Sequence, residues 1–447
     1  MLAHFSIDVD NEREFNSICI DSRKIKDSCL YICLDNKYLD NICIDNIIVI
    51  TKEKYNDKTI VIDNLEDIYI SMIHYFYNDC TKKVKIIGVT GTNGKTTIAH
   101  SLYKIVNKSM YIGTLYVSYN DKVIYTNNTT PSLIDNLEYI NDAIKEGIKY
   151  VFMEVSSHAL VQNRVKGIDF DGAIFTNLTL DHLDYHLNME NYYKAKKILF
   201  DNLKDTSFSL INIDDEYGRR LYKEVKKTKK IKYSYFDISK SRYTPNYSKI
   251  YFLNKKLKYN LIGSFNAYNV IAIYYTLREL GFSNFRSISK IRKIKCVSGR
   301  MEKVGKNIYI DYAHTPDALL KALYELKKLT KGKLHVVFGC GGNRDVSKRY
   351  YMGKVANEYA DYIYLTNDNP RNEKELDIIE NILSGIENRR NVYINPNRYE
   401  SIEYAIKRMN KDDILLIAGK GHEDYMIKDG IKTYYSDKES VKCILNH

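Results

Sequence analysis

The sequence predicts an α/β protein in three parts, and three observations carry the prediction. Short apolar runs alternate with helical stretches from residue 84 to residue 175, the pattern of neighbouring strands in a parallel sheet. A second alternating series starts after Gly299-Arg300. Before residue 80 lies a separate group of short apolar runs. Boundaries near 80 and 298 follow, and 447 residues suit three domains of roughly 150 residues each.

The elements follow in chain order. Runs at 17–21, 29–34, 46–50 and 59–62 mark short strands in the first part. Residues 84–89 read as a buried strand, with 96–107 as the helix after it. Leu133, Leu137, Ile140 and Ile144 recur at helical spacing, and Gly147 stands where a helix ends. Runs at 150–155 and 172–175 are further strands. The stretch 223–258 is rich in Lys and Tyr and weakly patterned, as hairpins at a domain edge would be. In the last part, strands are expected at 308–312, 334–338, 362–366 and 414–418. Helices are expected at 317–329, 352–360, 375–386 and 401–409. Only five prolines occur, and three lie in Thr129-Thr130-Pro131, His314-Thr315-Pro316 and Asn369-Pro370-Arg371. Such strings mark turns of fixed geometry.

Composition narrows the function classes. At 44% hydrophobic and 28% charged residues, the chain can build folded cores and is not of the disordered class. No apolar run approaches the ~18 residues of a membrane span. The first residues carry acids and lack a secretion-signal pattern. A cytoplasmic, soluble protein with no membrane partner is expected. The formal charge is +12, but lysines are spread along the whole chain. A Lys-rich solvated surface, or attraction for an anionic small substrate, accounts for that better than nucleic acid does. Cys19, Cys29, Cys33 and Cys43 cluster, yet none of the eight cysteines forms a Cys-x-x-Cys pair. They read as buried strand cysteines and not as a zinc site.

The strongest chemical signal is the run Gly88 to Thr97, where a strand feeds a Gly/Thr-rich turn and then a helix. Backbone amides of such a turn, with the helix N-terminus, cradle phosphates. Lys95 would reach the β/γ-phosphates and Thr96 would offer its hydroxyl to Mg²⁺. The general phosphate-loop pattern has Gly where this chain has Val89, and Gly91 supplies the tight turn instead. Glu154 ends a strand, where ligands of open α/β sheets bind. It suits a metal opposite the phosphates, or equally a helix cap. Asp181-His182-Leu183-Asp184-Tyr185-His186 offers two acids and two histidines, for a metal or for a solvated turn. Lys196 follows within a helical stretch at 192–200.

Taken in order, these strings resemble the Mur ligases, the ATP-dependent enzymes that build the peptidoglycan stem peptide. The matches are GTNGKTT (91–97), NTTP (128–131), MEVSSHAL (153–160), QNR (162–164), DHLDYH (181–186) and YYKAKKILF (192–200). They continue as GSFNAYN (263–269), GRME (299–302), DYAHTPDAL (311–319), GCGGNRDVSKR (339–349), DNPRNE (368–373) and GKGHE (419–423). By type and spacing the chain resembles the member that adds the third amino acid. The implied reaction phosphorylates the D-glutamate γ-carboxylate of UDP-MurNAc-L-Ala-D-Glu with ATP. The amine of meso-diaminopimelate then attacks the acyl phosphate.

The resemblance also implies the domains and the residue roles. A small N-terminal α/β domain (1–80) would bind UDP, a central P-loop-like ATPase domain with a parallel sheet (81–298) would bind ATP, and a Rossmann-like α/β domain (299–447) would bind the amino acid. The active site is expected in the cleft between them, in a monomer. Lys95, Lys196 and His182 take catalytic roles. Thr96, Glu154, His182 and a carbamylated Lys196 match metal ligands. ATP falls to Gly91, Thr92, Asn93, Gly94, Lys95, Thr96, Thr97, Asn266, Asn269, Arg300 and Asp311. Ser22, Thr129, Thr130, Ser156, Gln162 and Arg164 match contacts to the UDP-linked dipeptide. Arg344, Asp368, Asn369, Arg371, Gly419 and Glu423 match contacts to diaminopimelate. His314 and Lys348 lie in matching motifs without an assigned role.

Arg371 can bind the distal carboxylate of diaminopimelate bidentately, whereas lysine would set an ammonium against it. Glu423 suits the distal ammonium. The N-terminal part departs from the family, since the glycines that usually follow its Asp-Ser-Arg string are missing after Asp21-Ser22-Arg23. That string is otherwise a surface turn. The competing readings are the same ligation with L-lysine or another diamine, a folylpolyglutamate-synthase-like ligase, and a non-catalytic nucleotide-binding module.

Overall fold

The computed structural model describes residues 1–5, 7, 14–39, 47–56 and 59–446. Cys43 and Asn46 lie outside the described residues. By their internal contacts the residues form two compact units, Met1–Ile87 with Lys108–Asp171, and Gly88–Asn107 with Gly172–His447. This division falls inside the strand Lys85–Thr90 and groups the phosphate-loop segment with the C-terminal half.

In the first unit, Ser17–Cys19, Cys29–Cys33, Ile48–Thr51 and Thr59–Val61 pair in chain order as a parallel four-stranded sheet. The runs expected to be strands are strands. Cys19, Cys29 and Cys33 are buried with Tyr31, Leu39 and Val49, as strand cysteines should be. Further along, Ser109–Ile112 pairs in parallel with Tyr150–Glu154 and antiparallel with Val117–Tyr119. The helix Leu133–Lys145 buries Leu133, Leu137 and Ile140, and the Ser132 side chain caps it by accepting from Asp135 N. Its Gly147 has φ +81°, so the chain leaves the helix through a left-handed turn.

In the second unit, Gly172–Phe175, Phe208–Asn212 and Lys229–Tyr233 pair in parallel. The Lys/Tyr-rich stretch therefore begins with a parallel strand. It becomes hairpins only at Ile238–Tyr243, Ser248–Phe252 and Lys255–Tyr259. A six-stranded sheet follows, in the order Glu302–Gly305, Ile308–Asp311, Ile414–Ala418, Leu334–Phe338, Tyr362–Leu365, Val392–Ile394. Every pair in it is parallel except the first. Alternate residues feed two cores. Val336, Phe338, Leu416 and Ala418 pack on one face, and Val337, Leu415 and Ile417 on the other. Burial of both faces explains why these strands read as continuous apolar runs.

The helices covering the sheet are Pro316–Leu329, Ser347–Tyr359, Glu375–Leu383, Arg398–Arg408 and Asp437–Asn446. Pro316 opens the first, where its missing N–H costs nothing, and Thr315 caps it. The second starts at Ser347, ahead of the expected 352, because its polar first turn is buried at Lys348 and Arg349. Arg398 and Asp437 form a fully buried ion pair, with Nε to Oδ1 at 2.7 Å and Nη2 to Oδ2 at 2.8 Å. Arg398 also donates to Asn367 O and Ala418 O, which ties the ends of two sheet strands to the last helix. Among the described residues no helix is long and apolar enough to cross a membrane.

Candidate active site

The first unit gathers Thr129, Thr130, Ser156, Gln162 and Arg164. Glu154, the last residue of its strand, is fully buried. Its Oε1 accepts from Tyr111 Oη at 2.5 Å and Thr114 N at 3.0 Å, and its Oε2 from Thr114 Oγ1 at 3.1 Å. It does not cap the next helix. Ser156 does, accepting from Ala159 N. Thr130 Oγ1 donates to Glu154 O at 2.8 Å and accepts from Ser156 N at 3.1 Å. Thr129 Oγ1 meets Thr114 Oγ1 at 3.1 Å. Arg164 donates to Thr130 O at 3.0 Å and to Gln162 Oε1 at 2.5 Å. Ser22 opens a one-turn 3₁₀ helix capped by Asp21, whose carboxylate holds the exposed Arg23 at 2.7 Å.

In the second unit the phosphate loop has the geometry its glycines require. Gly94, just before the helix Lys95–Ile105, has φ +93°, and a Cβ there would lie 2.6 Å from Asn269 Oδ1. Asn269 therefore packs directly against the loop. Its Nδ2 donates to Asn266 Oδ1 at 2.8 Å. Lys95 Nζ donates to Gly91 O and Thr92 O, both at 2.9 Å. Arg300 Nη2 donates to Thr96 Oγ1 at 3.0 Å, and its guanidinium lies 4.4 Å from the Tyr312 ring centre. Asp311 Oδ2 accepts from Met301 N at 2.6 Å.

Lys196 is buried on the helix Met189–Asp201, and its Nζ donates to Gly91 O at 3.0 Å. Burial, and then the Lys95 charge, push its ammonium well below the usual lysine range, against the pull of Asp181. Both effects favour the neutral amine over the ammonium. Burial pushes the Asp181 carboxyl up, but His182, His314, Lys348 and Lys95 together hold it below the usual range. His182 lies in the left-handed region at φ +54°, with Nε2 3.3 Å from Asp181 Oδ2. His314 Nδ1 donates to the carbonyl of Tyr312 at 2.8 Å. Thus His314 and Lys348, which had no assigned role, share the field of Asp181. Among the described residues, no group of three His, Cys, Asp or Glu side chains is placed to hold a metal ion.

A second cluster lies where Tyr362–Leu365 and Ile414–Ala418 run out into loops. Asn369 Nδ2 donates to Glu423 Oε2 at 2.9 Å. Gly419 has φ +110°, and a Cβ on it would stand 2.5 Å from Asp368 Oδ2. Arg371 is itself left-handed at φ +54°, a costly conformation for a long side chain. Backbone bonds on both sides fix it, from its N to Ile427 O and to its O from Asp429 N. Its Nη1 donates to Gly342 O at 2.8 Å. Arg344 is exposed and belongs to the loop beside Gly341, whose Cβ would lie 2.9 Å from Arg371 Nη1 and 3.8 Å from Arg344 Cγ.

Residues 89–277 match the model of the Mur ligase middle domain, and 299–421 that of the Mur ligase glutamate ligase domain. A protein of Fusobacterium nucleatum named UDP-N-acetylmuramoyl-L-alanyl-D-glutamate--2,6-diaminopimelate ligase is 38% identical, over 97% of this chain and 95% of its own length. The chain belongs to the Mur ligase family. A relative with the same name from Prochlorococcus marinus is 37% identical over 97% of this Mur ligase and 94% of its own length. A solved structure of a ligase of that name superposes with a TM-score of 0.68 at 28% identity, covering all of this chain and 98% of the other.

Four polar residues of this Mur ligase escaped the sequence reading. Asn136 is fully buried, and its Nδ2 donates to Pro131 O and Arg164 O, joining two of the motifs. Its signal was an amide on the apolar face beside Leu133, Leu137 and Ile140. Asp317 accepts from Asn93 Nδ2 of the phosphate loop at 2.8 Å. Arg349 is buried, donating to Gly341 O and pairing with Glu373 at 2.8 Å. Lys420 is fully buried against Asn369 and Glu423. The last three stand inside matched strings, where a charge paired through the fold, half-buried at Asp317 and buried at Arg349 and Lys420, has no local signature.

Proposed function

We propose that this Mur ligase joins meso-diaminopimelate to the γ-carboxylate of UDP-MurNAc-L-Ala-D-Glu, with ATP phosphorylating the carboxylate first. A carboxylate is a poor electrophile, and the acyl phosphate gives the amine a leaving group to displace. Gly91 to Thr97 receive the phosphates, and Lys95, now folded onto Gly91 O and Thr92 O, turns to them when ATP binds. Thr129, Thr130, Ser156, Gln162 and Arg164 take the UDP-linked dipeptide, with Ser22 toward the uridine diphosphate. The assignment keeps the three domains 1–80, 81–298 and 299–447, supported by the separate middle and glutamate-ligase matches.

Mg²⁺ would offset the charge between the nucleotide and the carboxylate, and Thr96, Glu154, His182 and Lys196 would hold it. The chemistry of Lys196 fits that set. A neutral amine adds to CO₂ and loses a proton to give a carbamate, an anionic oxygen donor. Its burial and the neighbouring Lys95 favour the neutral amine that this requires.

The observation that carries the choice of amino acid is Arg371. Its backbone is clamped, its side chain donates to carbonyls, and it pairs with no carboxylate among the described residues. A rigid cation so placed can receive the distal carboxylate of diaminopimelate. The test is ADP-forming phosphate release with ATP, Mg²⁺ and the UDP-dipeptide. Wild type is expected to use meso-diaminopimelate and not L-lysine. In Arg371→Ala, kcat/KM for diaminopimelate should fall roughly 10²-fold, the worth of a bidentate charge-assisted contact. Equal use of lysine by wild type would sink the assignment.

A pH dependence follows from Asp311. Burial pushes its carboxyl up to about 6, against Arg300 and the amides of Met301 and Ala313. The group is therefore protonated below that pH and loses the anionic acceptor offered to the nucleotide. KM for ATP is expected to climb as pH falls through about 6. Asp311→Asn should have a high KM at every pH. A flat wild-type profile across that range would remove Asp311 from the nucleotide site.

A further inference from the structure

We propose that Lys420 is the positioning residue behind the choice of amino acid, fixing the Asn369 amide and keeping Asp368 and Glu423 from pairing with Arg371. The proposal rests on the assignment of the distal carboxylate and ammonium of diaminopimelate to Arg371 and Glu423. Lys420 is fully buried. Its Nζ donates to Asn369 Oδ1 at 3.1 Å, and lies 3.4 Å from Glu423 Oε2 and 3.7 Å from Asp368 Oδ1. The Tyr425 ring covers it, with the centroid at 5.6 Å.

An ammonium has donors only. The oxygen of Asn369 must therefore face it, and that oxygen also accepts from Ile427 N at 3.0 Å. The Asn369 amide nitrogen is thereby aimed at Glu423 Oε2. A flipped amide would set its NH₂ against two donors and its oxygen against a carboxylate. One buried charge thus decides which edge of Asn369 meets the acid expected to bind the ligand's ammonium.

The charges also balance. Asp368 and Glu423 are offset by Lys420 and Arg371, so the cluster is neutral. An amino-acid terminus with one ammonium and one carboxylate is neutral too, and fits without leaving a buried charge unpaired. With Lys420 removed, the two acids have only Arg371 to compensate them within the cluster. Arg371 is then drawn from the ligand's carboxylate, and the advantage of diaminopimelate over lysine goes with it. Burial and Asp368 already push the Glu423 carboxyl up, and Lys420 opposes them. The ammonium therefore works against that rise and favours the anionic form of Glu423.

The experiment uses the full chain with Lys420→Met, which keeps the length but not the charge, and Lys420→Gln, which keeps a donor for Asn369 but no charge. Phosphate release is measured with ATP, Mg²⁺, the UDP-dipeptide and either meso-diaminopimelate or L-lysine, alongside thermal melting. Lys420→Met is expected to raise KM for diaminopimelate about tenfold or more, with KM for ATP changed less than about twofold. The diaminopimelate-over-lysine ratio of kcat/KM should fall at least about tenfold. Lys420→Gln should recover part of the KM but not the ratio, and it carries the test if the Met variant does not fold. An unchanged ratio in a folded variant overturns the proposal. So does a parallel rise of both KM values, which marks a merely structural lysine. Wild type that uses lysine alone overturns the underlying substrate assignment instead, and is read before any variant is made.

Discussion

Lys196→Ala is expected to slow phosphate release roughly 10²–10³-fold, the scale for removing one electrostatic contact to a reacting centre. The residue is buried, its Nζ touches the phosphate-loop carbonyl of Gly91, and Lys95 lies close enough to press its ammonium toward the neutral form. As an ammonium it would add a second cation beside Lys95. As a carbamate it becomes an anion able to ligate a metal. The alanine variant should melt no lower than wild type, because it deletes a group whose burial is costly. Two readouts separate the carbamate from simple loss of a lysine. Labelled bicarbonate should give a carbamate carbon resonance in wild type and none in the variant. Acetate, a small carboxylate, should restore part of the rate. Full activity of Lys196→Ala would end the catalytic assignment, and a rate unaffected by acetate would end the carbamate.

Arg398→Met should have the largest effect on stability, about 3–5 kcal/mol, the range for removing one partner of a buried pair. Both partners are fully buried, and the loss would strand Asp437 without compensation. Asn367 O and Ala418 O would lose their donors as well. Those carbonyls lie at the roots of the Asp368–Arg371 and Gly419–Glu423 loops. The denaturant midpoint of the C-terminal transition should therefore fall, and KM for diaminopimelate should rise with it. A double variant, Arg398→Met with Asp437→Leu, should regain part of the stability, since no charge is left unpaired. A loss under about 1 kcal/mol in Arg398→Met would show that the pair contributes little to the fold.

Much of this molecule was legible one segment at a time. The strands Gly172–Phe175, Leu334–Phe338 and Ile414–Ala418 fall where their apolar runs stand, because a strand buried on both faces has nothing polar to interrupt it. The phosphate loop could be read because a positive φ at Gly94 and close approach to Asn269 leave no room for a side chain. The family strings were readable in order because each offers recognisable residue types at fixed spacing, on loops such as 368–373 and on helices such as Met189–Asp201 alike.

Other features could not be read that way. The helix Phe265–Glu279 is buried around most of its circumference, from Asn266 to Leu277, so it shows no clean apolar stripe. The helix at 347 begins in a polar turn that is buried only because its charges meet others far along the chain. Against its burial, Asp181 is held below the usual carboxylate range by His182 beside it and also by His314 and Lys348, more than a hundred residues away in sequence.

The sequence by itself determined the strands with continuous apolar runs, the phosphate loop and the residue types offered to nucleotide, acid and amine. Only the tertiary structure decided which charges are buried, which amide edge faces which acid, and which lysine is pushed toward its neutral form. The reason is physical. Local patterns report backbone conformation and one-sided burial, whereas the state of a buried charge depends on partners that the chain brings together only by folding.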